Sequence, residues 1–341
     1  MCTIYSSSAF LLVVCSLLSL VFCAQDAGQM IDSIEQDGYY RREYSLTQPY
    51  HGTGMDVPNW EFGGSTVVST NYVRLTPDRQ SKNGMLWNTV PVVMHNWEIL
   101  IHFAVHGQGK TLFGDGSAIW YTKERGEKGP VLGNRDYFTG LGVFLDTYSN
   151  HNGEHVHDHP YISAMVNNGS VHYDHDRDGT HSQMAGCSVK FRNSQQDTFV
   201  AISYINRQVM VMTNIDGNDD WKTCFVVNDV DLPTGYYFGA TAATGDLADN
   251  HDIISVRVYD VDDNSDEPDF EAPDWSTIKP KAKNAESPRD HVKDVQGWLS
   301  PKAYQIISIV LIIVLVLGVI TAVVGGFAFV KHQEKNKKRF F

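Results

Sequence analysis

Basic charge is scarce in this 341-residue chain: 27 Lys and Arg stand against 40 Asp and Glu, a formal charge of −13. That balance excludes a nucleic-acid binder, because phosphate backbones need Lys and Arg to displace their counterions. Cysteine is scarce as well. Of five, Cys2, Cys15 and Cys23 lie in the first 23 residues, which leaves Cys187 and Cys224. In an oxidising compartment such a pair most simply forms one disulfide, with two separate buried thiols as the alternative. Helical periodicity is missing between Tyr44 and Val261, where no run of ten residues repeats apolar positions every 3.6, and this excludes a helical bundle. Nor is there a heptad pattern after Asp260 to build a coiled-coil stem.

The two ends of the chain carry its long apolar runs. Residues 1–23 read as a secretory signal peptide: Ala9 to Phe22 is apolar but too short to span, and cleavage after Cys23 places Val21 at −3. The n-region MCTIYSSS departs from the usual pattern in having no Lys or Arg. Near the other end, residues 304–330 are expected to cross a membrane as one helix. Ile306 to Val330 contains no charge, and at ~1.5 Å per residue its 25 residues span a ~30 Å hydrocarbon core with some tilt. The tail 331–341, KHQEKNKKRFF, holds five Lys or Arg and one Glu, so the positive-inside rule makes it cytoplasmic and the preceding domain lumenal.

Between these ends the pattern is that of strands. Ile99, Ile101, Phe103 and Val105 alternate with Leu100, His102, Ala104 and His106. Val200, Ile202 and Tyr204 continue the period of two, as do Val209 and Val211, and INRQ between those runs reads as a hairpin turn. Ile254, Val256 and Val258 are expected to share one face of a last strand. Many strands separated by Gly, Asn and Asp indicate a sandwich or barrel over residues 40–262. Composition then turns acidic and proline-rich, so residues 263–303 read as an exposed stalk.

Several motifs offer chemistry. FLDTYSNHNGEHVHDHP packs His151, His155, His157 and His159 behind Asp146, Tyr148 and Asn150. The Asn and Gly content points to a solvated loop, with a pH response second and a zinc site third. DHDRDG, Asp174 to Gly179, opens like an EF-hand loop, but its twelfth position is Ala185 rather than Glu. EPDFE, Glu267 to Glu271, has the ExDxE spacing of a sandwich-fold glycoside hydrolase, yet prolines interrupt it and it lies in the stalk. Asn168-Gly169-Ser170 is a sequon between two strands, which suits an N-glycan or a plain Asn-Gly turn.

GDGSAIWYT (114–122), GVFLDTYSN (142–150), PYISAMVNNGSVHYDHDRDGT (160–180) and LPTGYYFGATAATGDLADNHDIISV (232–256) together resemble the animal L-type lectins, relatives of the leguminous seed lectins. The resemblance implies an all-β, concanavalin-like sandwich of two antiparallel sheets, followed here by one transmembrane helix. It implies a Ca2+ ion held by Asp146, the Tyr148 carbonyl, Asn150 and Asp178. Carbohydrate contacts are implied for Ser81, Asp115, Asn150, His175, Gly245, Asp246 and Leu247, and a strained or cis peptide before Asp115. The implied function is calcium-dependent binding of high-mannose N-glycans by a cargo receptor cycling between ER and Golgi, without catalysis; a sandwich-fold glycoside hydrolase is the alternative. Lys338 and Arg339 resemble a dibasic retrieval signal and Phe340-Phe341 an export signal, which implies vesicle-coat partners. Arg339 departs from the strict dilysine form.

Overall fold

The computed structural model describes residues 38–51, 56–150, 158–217, 220–261 and 274–282. The expected signal peptide, transmembrane helix and cytoplasmic tail, including Lys338, Arg339, Phe340 and Phe341, lie outside the described residues, as do His151, His155, His157 and the EPDFE run. Among the described residues the fold is all-β, with only two 3-10 turns, Arg42–Tyr44 and His175–Arg177.

In chain order the strands are β1 (Tyr39–Tyr40), β2 (Trp60–Gly64), β3 (Val67–Val68), β4 (Val73–Thr76), β5 (Asn83–Asn88), β6 (Trp97–His106) and β7 (Gly116–Thr122). They continue with β8 (Lys128–Gly129), β9 (Gly133–Asn134), β10 (Thr139–Asp146), β11 (Tyr161–Asn168), β12 (Ala185–Ser188) and β13 (Thr198–Ile205). The last are β14 (Gln208–Asn214), β15 (Lys222–Val227), β16 (Val230–Asp231), β17 (Tyr237–Ala243), β18 (Asn250–Asp260) and β19 (Lys281–Ala282). One sheet runs β15-β14-β13-β6-β18-β4-β3, with β1 added on β18; the other runs β12-β11-β10-β7-β17-β5-β2. Every pairing within the two sheets is antiparallel.

The period-two pattern puts Ile99, Ile101, Phe103 and Val105 of β6 into the core, together with Val200, Ile202 and Tyr204 of β13. They meet Ile119, Tyr121, Leu141, Val143 and Leu145 from the second sheet. The second sheet is buried on its other face too, where Trp87, Trp120, Phe138, Phe144 and Tyr173 form a separate cluster. This double burial is why β7 and β10 read as continuous apolar runs rather than alternating ones.

The INRQ turn is a two-residue hairpin: Ile205 pairs with Gln208, and Asn206 and Arg207 both have positive φ, 51° and 65°. Left-handed conformation at both positions matches the twist of the flanking strands. At β18 the structure departs from the expected alternation. A register shift between Ile253 and Ser255 puts Ile253, Val256 and Val258 in the core and leaves Ile254 only half-buried. A bulge inserts one residue, so the inward set changes parity across it.

Cys187 and Cys224 are bonded, joining β12 to β15. These are edge strands of the two sheets, so the bond closes one open side of the sandwich. Residues 274–282, within the stretch expected to be an exposed stalk, instead return to the body. β19 pairs with β16, Pro280 is buried, and Trp275 stacks on His95 with ring centroids 3.7 Å apart. A tryptophan and a buried proline give this segment apolar surface to cover, which the charge-rich composition around it concealed.

Candidate functional site

Four connections meet at one end of the seven-stranded sheet because of its register. Gly116, which opens β7, lies opposite Asp146 at the end of β10 and opposite Ala243 at the end of β17. Ala243 in turn faces Asn83 at the start of β5. Asp115, the segment after Asp146, the loop from Gly245 and the loop containing Ser81 are thereby brought together.

The carboxylate of Asp146 is buried and accepts a hydrogen bond from the Tyr148 backbone N–H at 3.0 Å. Asp178 ends the His175–Arg177 turn in left-handed conformation, φ 51°. Gly179 follows at φ 66°, where a Cβ would lie 2.3 Å from the Tyr173 ring, so glycine is required where the turn after Asp178 packs against that ring. The Asn150 N–H donates to Asp178 Oδ1 at 3.0 Å, and the Asn150 side-chain Nδ2 donates to the same oxygen at 2.9 Å. His175 Nδ1 is 3.5 Å from that Nδ2. Of the DxDxDG acids, Asp178 is buried and Asp176 exposed, so the turn aims one carboxylate inward rather than three.

Asp115 follows a cis Gly114–Asp115 peptide, as expected from the resemblance. Its carbonyl accepts hydrogen bonds from the Thr147 N–H and hydroxyl, both at 3.0 Å, and this ties it to the residue after Asp146. The Asp115 carboxylate lies against the Gly245 backbone: a Cβ on Gly245 would meet Oδ2 at 3.0 Å. Ser81, at φ 55°, donates its N–H to the Gly245 carbonyl at 3.0 Å, and Gln80 Nε2 donates to the Asp246 carbonyl at 2.6 Å. Ser81 and Asp115 thus touch the Gly245 loop, Asn150 touches His175 and Asp178, and the bonds of Thr147 to Asp115 bring the two groups together. Asn168 lies apart, exposed in a turn where Gly169 has φ 88° and the Ser170 hydroxyl donates to Asn168 Oδ1.

Electrostatics single out the same place. Burial, and then the neighbouring Asp178 and Asp115, push the Asp146 carboxyl well above the usual carboxylate range. Burial also raises Asp115; His175 opposes that rise and Asp246 adds to it. Carboxylates gathered out of water repel one another unless a cation or a proton joins them. Two buried carboxylates with the Asn150 side-chain amide beside them suit a hard cation, which takes oxygen donors.

One residue here was hidden in the sequence. His159 Nε2 lies 3.7 Å from Asp178 Oδ2, and ligand atoms of Asp146, His159 and Asp178 all fall within 4.8 Å of one another. Grouping His159 with a solvated histidine loop missed this. No sequence signal records it: the pairing of Asp146 with Tyr161 brings the segment just before β11 alongside the acid.

A two-sheet sandwich with acids and glycine-lined loops gathered at one end of a sheet defines a lectin-type binding domain, and the chain belongs to the Legume-like lectin family, whose model matches residues 37–268. Among its relatives, the vesicular integral-membrane protein VIP36 of Mus musculus is 47% identical over 305 residues, covering 88% of this chain and 84% of that protein. The VIP36-like protein of Homo sapiens is 42% identical over 327 residues, covering 95% and 92%. The crystal structure of the VIP36 exoplasmic/lumenal domain in its Ca2+/Man3GlcNAc-bound form matches with TM-score 0.66 at 49% identity, covering 72% of this chain and 99% of that one.

Proposed function

We propose that this protein is a calcium-dependent lectin that binds high-mannose N-glycans on glycoproteins in the early secretory pathway. The observation that carries it is the convergence of Asp146, Asn150 and Asp178 with Asp115 at one end of a sheet, where burial first and the acidic neighbours second push the Asp146 carboxyl up. Calcium and mannose oligosaccharide bound to VIP36, a relative at 49% identity, support the same use of these loops.

In this mechanism Asp146, the Tyr148 carbonyl, Asn150 and Asp178 hold Ca2+. The ion supplies a fixed positive charge that neutralises the buried carboxylates. Asp115 accepts hydrogen bonds from sugar hydroxyls; its carbonyl is fastened by Thr147, so its position follows the metal loop. Asn150 serves metal and sugar together. His175, Ser81 and the backbone of Gly245, Asp246 and Leu247 complete the rim, and ordered partners of this kind give a hydrated ligand such as a sugar its selectivity.

The lectin domain faces the lumen. One helix over residues 304–330 anchors it, and Lys338, Arg339, Phe340 and Phe341 engage vesicle coats. Asn168 carries an N-glycan, on an exposed turn away from the sugar loops.

Retention of the full chain, in detergent, on mannose resin tests this. Binding is expected with calcium and is lost with a chelator; equal retention in both buffers would overturn the metal mechanism. Asp115→Asn should abolish retention without lowering the thermal midpoint.

A further inference from the structure

Arg192 lies between β12 and β13, at an isolated bridge to Val105, and its side chain is 6% exposed. Two contacts account for so buried a charge. Nε donates to Asp249 Oδ2 at 2.8 Å and Nη2 to Asp249 Oδ1 at 2.7 Å, a two-pronged pair with a carboxylate that is fully buried. Cζ also lies 3.9 Å from the centroid of the Phe113 ring. Gly107 makes room for this arrangement, since a Cβ there would meet Asp249 Oδ1 at 2.2 Å.

Each partner of Arg192 adjoins one of the two loops that meet where Asp115 lies against Gly245. Phe113 leads directly into Gly114-Asp115, between β6 and β7. Asp249 ends the loop that begins Gly245-Asp246-Leu247, between β17 and β18. That second loop is held separately at its start: Thr244 Oγ1 donates to the Arg79 carbonyl at 2.7 Å, and the Thr244 N–H to the Lys82 carbonyl at 2.9 Å. At its far end Arg192 is the charged anchor, and the same guanidinium touches the approach to Asp115.

We propose that Arg192 is a positioning residue for glycan binding. It ties the Asp115 loop to the Gly245–Leu247 loop and sets the gap between them, through Phe113 and Asp249, without touching sugar or metal. This rests on the carbohydrate reading of the site given above. Arginine suits the role because one planar group makes a forked bond along its edge and stacks through its face, whereas lysine offers a point charge alone.

The test uses the full chain in detergent with Arg192→Lys, Phe113→Leu, the double variant and Asp115→Asn. Three quantities are measured: mannose affinity with calcium saturating, calcium affinity without sugar, and thermal midpoint. Arg192→Lys and Phe113→Leu are each expected to weaken mannose binding by roughly tenfold, the usual scale for residues that orient contact groups, while calcium affinity stays within about twofold. The double variant should be no weaker than Arg192→Lys alone, because both changes break one unit. If Arg192→Lys fails to fold, the half-buried Phe113→Leu carries the test. Wild-type mannose affinity in folded Phe113→Leu and Arg192→Lys would overturn the proposal, as would mannose and calcium affinities falling together with the midpoint. Full mannose binding by Asp115→Asn would instead overturn the site assignment itself.

Discussion

Gly245 and Asp115 sit so close that the glycine belongs to the proposed binding surface: an added Cβ would stand 3.0 Å from one carboxylate oxygen and 3.2 Å from the other. Gly245→Ala is therefore expected to displace the Asp115 carboxylate and weaken mannose binding by about tenfold, a loss of roughly 1.4 kcal/mol. The proposed calcium ligands lie on other loops, so calcium affinity should not change, and titration calorimetry with each ligand in turn checks both halves. At this scale much of the site was legible in the sequence. Asp146, Asn150, Asp178, Asp115 and Gly245 lie within the four stretches that resemble lectins, so short motifs record which residues they are while the sheet register brings them together. His159 was not legible, since its nearness to Asp178 depends on how β11 pairs with β10.

The strands and their fastenings make the next level. β12 and β15 are terminal strands of different sheets, and the Cys187–Cys224 bond is what joins them covalently. Opening a loop of 37 residues should cost roughly 3–4 kcal/mol of stability on the chain-entropy account. The Cys187→Ser/Cys224→Ser protein is thus expected to unfold at markedly lower urea than wild type under non-reducing conditions; matching midpoints would show that the edges hold without the bond. Alternating residues announced β6, β13 and β14, and the Asn-Arg turn between the last two was visible as INRQ. The bulge in β18 was not visible. Ile253 and Ile254 are adjacent and chemically alike, and only the register of β18 against β6 decides which enters the core.

The sandwich as a whole encloses a histidine, and its burial leads to an expected dependence of stability on pH. His251 is 1% exposed on β18, its Nδ1 lies 2.8 Å from the Thr76 hydroxyl, and burial pulls its pKa down from 6.5 to about 4. A depressed histidine pKa means that the folded state resists a proton that the unfolded chain accepts. Its stabilising contribution is complete above the unfolded value of about 6.5 and is lost as pH falls toward about 4. By about pH 4.5 the loss should reach roughly 2–3 kcal/mol. Urea unfolding at about pH 7 and about pH 4.5 checks this: wild type should lose that much more stability than His251→Gln, and equal losses would remove His251 as the cause. The alternating β pattern, the acids and glycines of the loops and the lone cysteine pair were determined by the sequence itself, because periodicity and turn conformation are properties of neighbouring residues. Tertiary structure alone decided that residues 274–282 fold back to stack Trp275 on His95, that His159 stands beside Asp178, and that Arg192 joins two loops far apart in the chain. Those contacts depend on which strands adjoin and in what register, and no local pattern of residues encodes that choice.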